Sequence, residues 1–249
     1  VLQKKTALSQ EELLIVKGAE EIIGYSFKDS QLLLLALTHR SYVNQLKKKG
    51  ELYNNERIEF LGDAVLELAI SEYLYSMYPE FAEGILTLIR STVVRTTSLS
   101  AVSERIGINK FIIMGHGEEK TGGRMKQYIL ANVFESITGA IYLDGGMKPA
   151  TEFIFKNLKE AIEYVVENKK FVDPKTQLQE LTQSIFKTTP VYSIISESGP
   201  AHQKEYVSAA LIDGKEIGRG SGTSKQRAEE VAAEVALLNI DNLKPNENA

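Results

Sequence analysis

Cysteine is missing altogether from the 249 residues, which excludes disulfides and thiolate metal sites and is compatible with a reducing compartment. Long apolar runs are missing too. The longest, Leu32 to Leu37, is far short of the roughly 20 residues that span a bilayer, so no membrane partner is expected. No apolar signal region follows Val1-Leu2-Gln3-Lys4-Lys5, and the cytoplasm is the expected location. The opening Val in place of Met is expected to reflect trimming or an incomplete chain. Nor is there an excess of basic charge: 29 Lys and Arg stand against 33 Asp and Glu, a net charge of −4. Such a chain does not coat nucleic acid by bulk electrostatics, and any contact with it must be local. What remains, 43% apolar and 25% charged residues, is the makeup of one large or two modest soluble domains.

The stretch Asn54 to Tyr73 organises the rest. Wound at about 100° per residue, it places Glu56, Glu59, Asp63 and Glu67 on one narrow stripe. Ile58, Phe60, Leu61, Ala64, Val65, Leu68 and Ala69 fill most of the remainder, so an acidic seam on an otherwise buried helix is expected. Carboxylates three and four residues apart repel by about 0.2–0.5 kcal/mol per pair even on an exposed helix. No Lys or Arg shares the stripe, so a cation must come from outside it. Hard oxygen ligands at this density suit Mg²⁺, which is commonly held by one or two carboxylates together with substrate phosphates. The competing reading is a solvated face, or one paired with arginines from elsewhere in the chain.

A second helix, Tyr128 to Leu143, is apolar on nearly every side and carries Glu135. A buried carboxylate is costly unless paired or bound to a metal. Asn132 lies three residues earlier on the same face, and the two supply oxygen ligands that could complete a site begun by Glu59 and Asp63. Ser136, Gly139 and Ala140 are small enough for a close helix approach.

Elsewhere the first 17 residues are weakly patterned, and a short helix is expected over Gly18–Ile23, stopped by Gly24. Asp29 caps the next helix, and His39 at its end is expected to bond locally. Lys47-Lys48-Lys49-Gly50 reads as a solvated loop. Pro79 and Gly84 bracket a turn carrying Glu83, and Leu86 to Val102 is helical with a break near Thr96. The segment Gly115 to Arg124 reads as a glycine-rich loop without the ending of a nucleotide cradle. A helix over Pro149–Val166 closes an all-helical domain, and residues 168–174 read as a linker. Beyond them the periodicity changes: a helix (Thr176–Lys187), three strands (Val191–Glu197, Glu205–Ile212, Glu216–Gly220) and an alanine-rich helix (Ser224–Leu238). The tail from 241 is polar.

Residues 55–66, Asn-Glu-Arg-Ile-Glu-Phe-Leu-Gly-Asp-Ala-Val-Leu, resemble the signature of ribonuclease III, the double-stranded RNA endonuclease. The resemblance continues through Leu37-Thr38-His39-Arg40-Ser41, Glu83-Gly84, Gly122-Gly123-Arg124 and residues 141–146, over most of 18–240. The α-β-β-β-α order is similar to that of the double-stranded RNA-binding domain. The resemblance implies an all-α endonuclease domain over 18–167, after an N-terminal extension (1–17), and a small α+β RNA-binding domain over 175–240. It further implies Mg²⁺-dependent cleavage of duplex RNA to 5′-phosphate and 3′-hydroxyl ends in rRNA and mRNA processing, with Mn²⁺ able to substitute. A homodimer is implied, with Phe60 near its interface.

Carried over position by position, Glu59, Asp63, Asn132 and Glu135 match the principal metal ligands of that family, and Glu56 and Glu83 its accessory acids. Thr176, Gln179 and Glu180 match positions that contact the RNA minor groove. His202, in the strand-connecting loop Gly199-Pro200-Ala201-His202, matches a position at a neighbouring minor groove, and Lys225, Gln226 and Arg227 face phosphates. Two departures stand out. Most relatives have Asp where this chain has Asn132, which keeps an oxygen ligand but loses a charge and opens the alternative of a weakened or silent RNA-binding scaffold. The second domain is not basic, with seven Lys or Arg against nine Asp or Glu between 173 and 240.

Overall fold

The computed structural model describes residues 8–46, 54–200 and 203–239. The lysine run from Lys47, His202 and the tail after Asp241 therefore lie outside the described residues. The chain divides into two compact units, Val1–Phe171 and Val172–Ala249.

The first unit is helical. Its elements are α1 (Gln10–Ile23), α2 (Ser30–Leu37), α3 (Arg40–Gln45), α4 (Glu56–Met77), α5 (Glu83–Val94), α6 (Thr96–Ile106), α7 (His116–Lys120), α8 (Gln127–Gly145) and α9 (Met147–Glu167). Helix α8 runs through the middle, with Ile129, Leu130, Val133, Phe134, Ile137 and Ile141 all buried. Its end is pinned by Asp144, whose carboxylate accepts the Tyr25 hydroxyl at 2.7 Å and the Lys28 and Asp29 amides at 3.0 and 2.9 Å.

Several local expectations are corrected. Helix α1 starts at Gln10 rather than Gly18, because Ser9 and Glu12 form a reciprocal capping box and Val16 joins the core. Glu83 and Gly84 form the first turn of α5 rather than a loop. Within the glycine-rich stretch, residues 116–120 are helical and Gly123–Met125 form a 3₁₀ turn. Arg124 holds that stretch in place through Glu119 and the carbonyls of Asn109, Lys110 and Ile112. The signature helix is also less enclosed than its apolar content suggests. Ile58, Val65 and Ala69 are buried, but Phe60 is 81% exposed, and Ala64 and Leu68 at i+4 and i+8 are exposed with it.

The second unit comprises α10 (Pro174–Phe186), β1 (Val191–Ser198), β2 (Glu205–Ile212), β3 (Lys215–Gly222) and α11 (Lys225–Asn239). The strands form one antiparallel sheet in the order β1-β2-β3. Leu178, Ile212, Ile217, Ala232 and Ala236 make its small core. A Cβ on Gly218 would lie 2.4 Å from the Ala232 carbonyl oxygen, so the alanine-rich face of α11 rests directly on β3.

The contact that matters most is between α4 and α8. A Cβ on Gly62 would fall 1.8 Å from the Glu135 carbonyl oxygen, and one on Gly139 would fall 2.4 Å from that of Ile58. Two backbones touch here without side chains between them. Ala in place of Gly inside a helix ordinarily gains about 1 kcal/mol. Overpacking a backbone contact costs about 1–3 kcal/mol, so steric exclusion should win. Gly62→Ala is expected to lower the thermal midpoint by several degrees and to depress activity with it. A midpoint at or above that of the parent would refute the close crossing.

Candidate active site

The crossing brings together four polar side chains that lie far apart in sequence. Gly62 precedes Asp63, Glu59 lies one turn earlier on α4, and Asn132 and Glu135 lie within two turns of Gly139 on α8. Their mutual influence is visible in their protonation. Burial, then the charges of Asp63 and Glu59, pushes the Glu135 carboxyl up to about 8. Glu59 is also raised, first by burial and then by the charge of Glu56, while the nearby Asn132 amide partly offsets the rise and Asp63 adds repulsion. Glu59, Asp63, Asn132 and Glu135 thus lie close enough to influence one another, half-buried on the α8 side and open to solvent at Asp63.

Glu56 sits at the outer edge. The Asn54 amide donates to it at 3.0 Å, and the Arg40 guanidinium lies 3.5 Å from its other oxygen. Thus the cation missing from the stripe is supplied to Glu56 by α3. His39 caps α3, with Nδ1 accepting from the Ser41 amide at 3.3 Å and lying 2.8 Å from the Ser41 hydroxyl. This is the local role expected of it.

Glu83 is not drawn into the cluster within one chain. Its carboxylate accepts from Thr87 and lines a separate groove of about 700 Å³ with Leu68, Glu72, Tyr75, Leu86 and Met147. Glu72 lies roughly 13 Å along α4 from Asp63 at 1.5 Å per residue. Among the described residues, no three His, Cys, Asp or Glu side chains converge tightly enough to hold a metal ion as they stand. Carboxylates that repel one another relax apart, and one donor of this set is an amide. Glu59, Asp63, Asn132 and Glu135 nonetheless form the group that a divalent cation could draw in, since no hydrogen bond or ion pair neutralises Glu135 among the described residues.

In the second unit, Thr176 and Gln179 on α10 and Gln226 on α11 line one crevice of about 360 Å³ with Tyr192, whose hydroxyl is buried without a partner among the described residues. Glu180, Lys225 and Arg227 are exposed outside it. Lys225 lies 5.9 Å over the Tyr206 ring, and Arg227 is engaged with Glu230 and Glu234 at 3.1 and 3.5 Å. Sequence reasoning missed the Arg40–Glu56 pair, Asn54 and the spacer role of Gly62. For Gly62 a signal was available, since a glycine inside an apolar helix, between Leu61 and Asp63, marks a close approach.

With this geometry in hand, the likeness to known proteins is specific. Residues 29–162 match the ribonuclease-III-like family model, and residues 174–240 match the double-stranded RNA binding motif. The chain is 41% identical to Ribonuclease 3 of Protochlamydia amoebophila over 222 residues, 89% of this chain and 90% of that one. It is 44% identical to Ribonuclease 3 of Lactococcus lactis subsp. lactis over 229 residues, 90% and 96% of the two chains. A solved nuclease domain of ribonuclease III from Campylobacter jejuni, described for flexibility in the region involved in its dimer formation, superposes with a TM-score of 0.52. That match has 40% identity and covers 58% of this chain and 99% of that one. A helical unit with an acidic crossing, followed by a matched RNA-binding motif, places this chain in the ribonuclease III family of endoribonucleases.

Proposed function

We propose that the α4–α8 cluster is the centre of a Mg²⁺-dependent endoribonuclease that hydrolyses double-stranded RNA to 5′-phosphate and 3′-hydroxyl ends, acting in the cytoplasm in rRNA and mRNA maturation. The observation that carries this reading is Glu135: a half-buried carboxylate, destabilised as an anion by two neighbouring acids. Such an arrangement is costly unless a cation joins it. Glu59, Asp63, Asn132 and Glu135 would hold Mg²⁺, or Mn²⁺ in its place, with Glu56 as an outer acid. When bound, the ions would supply an ionised water and neutralise charge on the scissile phosphate. The protein's own part is to fix the ligands: the glycine crossing holds both helices at contact distance, with Asn132 near enough to Glu59 to ease its charge. The Asn132 amide brings oxygen without charge, so a higher Mg²⁺ requirement follows than for an aspartate there.

Duplex RNA is held by the second unit, through Thr176, Gln179 and Glu180 on α10 and Lys225, Gln226 and Arg227 on α11, with His202 from the connecting loop. Fewer free cations make this contact rely on shape and 2′-hydroxyls more than on charge. Cutting both strands needs two sites, and the exposed line Phe60, Ala64 and Leu68 beside the groove that contains Leu68 and Tyr75 supports a homodimer. A knob and a groove on one face suit an isologous contact, which would bring the partner's copy of that face, Glu83 included, toward the cluster.

Duplex RNA incubated across a Mg²⁺ series is expected to be cut, and Glu135→Gln to lower the rate by at least about a hundredfold with RNA retention intact. Retention without cleavage at any Mg²⁺ concentration in the unmodified protein would favour the scaffold instead. Because the folded state raises the Glu135 pKa, the metal-free native protein binds a proton between about 4.5 and 8 that the unfolded chain has lost. Stability without metal should therefore fall as pH rises through this window, and Glu135→Gln should melt higher than the parent at pH 8, with the gap closing toward pH 5. An equal gap at both pH values would contradict the assignment. Finally, light scattering should give about twice the 27.7 kDa chain mass at micromolar concentration, and Phe60→Ser should shift it toward the monomer; a monomeric parent would end the dimer proposal.

A further inference from the structure

Arg40 is a cation at the edge of the acidic cluster, within 3.5 Å of Glu56, and its surroundings combine a fixed backbone with a loosely held head group. The backbone is tied on every side. His39 N donates to Ile113 O and Ile113 N to Leu37 O, both at 2.8 Å, and Asn55 N donates to Thr38 O at 2.9 Å. Ser41 Oγ accepts from Gly115 N at 2.9 Å, and Gln45 Oε1 accepts from His116 N at 2.6 Å. The residue is thus anchored to the loop after α6 and, through Asn55, to the first turn of α4. Its side chain, by contrast, is 62% exposed, and among the described residues it pairs with Glu56 at 3.5 Å, whose side chain is 54% exposed.

That pair is easily exchanged. Exposed ion pairs contribute little, and Glu56 keeps the Asn54 amide as a partner when Arg40 leaves. Two other cations of the unit are committed elsewhere: Lys126 to Glu118 at 2.6 Å and to Thr121, and Arg124 to Glu119 and three carbonyls. Arg40 is still near enough for its charge to act on Glu59. A polyanion approaching four carboxylates is repelled wherever cations do not cover them. A planar guanidinium at the rim, outside the ligand set, offers two parallel donors to a phosphate.

We propose that Arg40 is a phosphate-anchoring residue, which parks on Glu56 in the free protein and moves to a backbone phosphate of duplex RNA flanking the scissile bond. The inference rests on the nuclease reading above and deepens it by naming the group that sets the strand against the cluster. Arg40 positions the substrate and takes no part in bond breaking.

The test compares Arg40→Gln, Arg40→Lys, Glu56→Gln, the Arg40→Gln/Glu56→Gln double variant and, as a distant control, Lys159→Gln, whose exposed side chain pairs with Glu163 as Arg40 does with Glu56. Steady-state cleavage of a short RNA duplex gives kcat and KM. Binding of the same duplex over a salt series, in a Glu135→Gln background, gives the salt slope. Arg40→Gln should raise KM and Kd about tenfold, as expected for a lost hydrogen bond to a charged group, and change kcat less than threefold. It should also make the dependence of log affinity on log salt shallower by about one, the share of one phosphate contact. Arg40→Lys should keep the slope, and Lys159→Gln should resemble the parent.

Unchanged Kd and slope in Arg40→Gln would overturn the proposal. So would an Arg40→Gln effect that Glu56→Gln reproduces and that the double variant does not enlarge, since Arg40 would then serve only to hold Glu56. A parent protein that neither binds nor cuts the duplex would instead overturn the nuclease reading itself.

Discussion

Direct contact between the backbones of α4 and α8 is the constraint on which the rest of the first unit depends. Helices normally cross at 8–10 Å with side chains interleaved. Here Gly62 and Gly139 remove the side chains, and a single added methyl would overlap the opposite main chain. Closeness of this kind is what lets short carboxylate side chains from two helices reach one another. The polar groups flanking the glycines therefore meet as a consequence of packing, with the apolar core of α8 supplying the driving force and the glycines setting the distance.

The electrostatic result is an arrangement unfavourable to the empty fold. Glu135 is held among apolar neighbours and opposite two further acids, and burial raises its carboxyl well above the ordinary range. A protein selected for stability alone would place an apolar residue there. The departure from that optimum is the usual mark of a functional site, where local cost is accepted for chemistry. Around the cluster the chain provides partial relief that leaves the centre alone: the Asn132 amide eases Glu59, while Asn54 and Arg40 attend to Glu56.

Much of this was legible beforehand, and for physical reasons. Helical periodicity placed Glu59 and Asp63 on one stripe, and Glu135 stood out as a charge on an apolar helix. In the second unit the limits of the observed strands agree with the expected ones within two residues, although β2 buries Ser208, Ala209 and Ala210 in succession and the register shifts at Ile194/Ser196 and Ala210/Leu211. The errors also share a cause. Periodicity reports that a residue is apolar, and it does not report whether the surface it faces is filled by the same chain. Phe60 was read on an otherwise buried helix and, from the resemblance, near a dimer interface; within one chain it lies in the open. Glu83 shares its family position with the acids but not their location within one chain. Helix α1 was cut short because its capping box precedes a stretch of mixed polarity whose few apolar residues only the assembled core selects.

The sequence by itself determined most of the longer elements, their order, the change from a helical to an alternating period and the chemistry available: acids, one amide and no thiol. Those follow from local sterics and side-chain type, which are properties of short segments. Tertiary structure alone decided which acids meet, that Arg40 rather than a residue of the seam faces Glu56, and which apolar side chains remain uncovered. Such pairings depend on distances between segments well separated in the chain, such as those of Glu59 and Glu135, set by how closely two helices can approach, and no pattern within either helix encodes that distance.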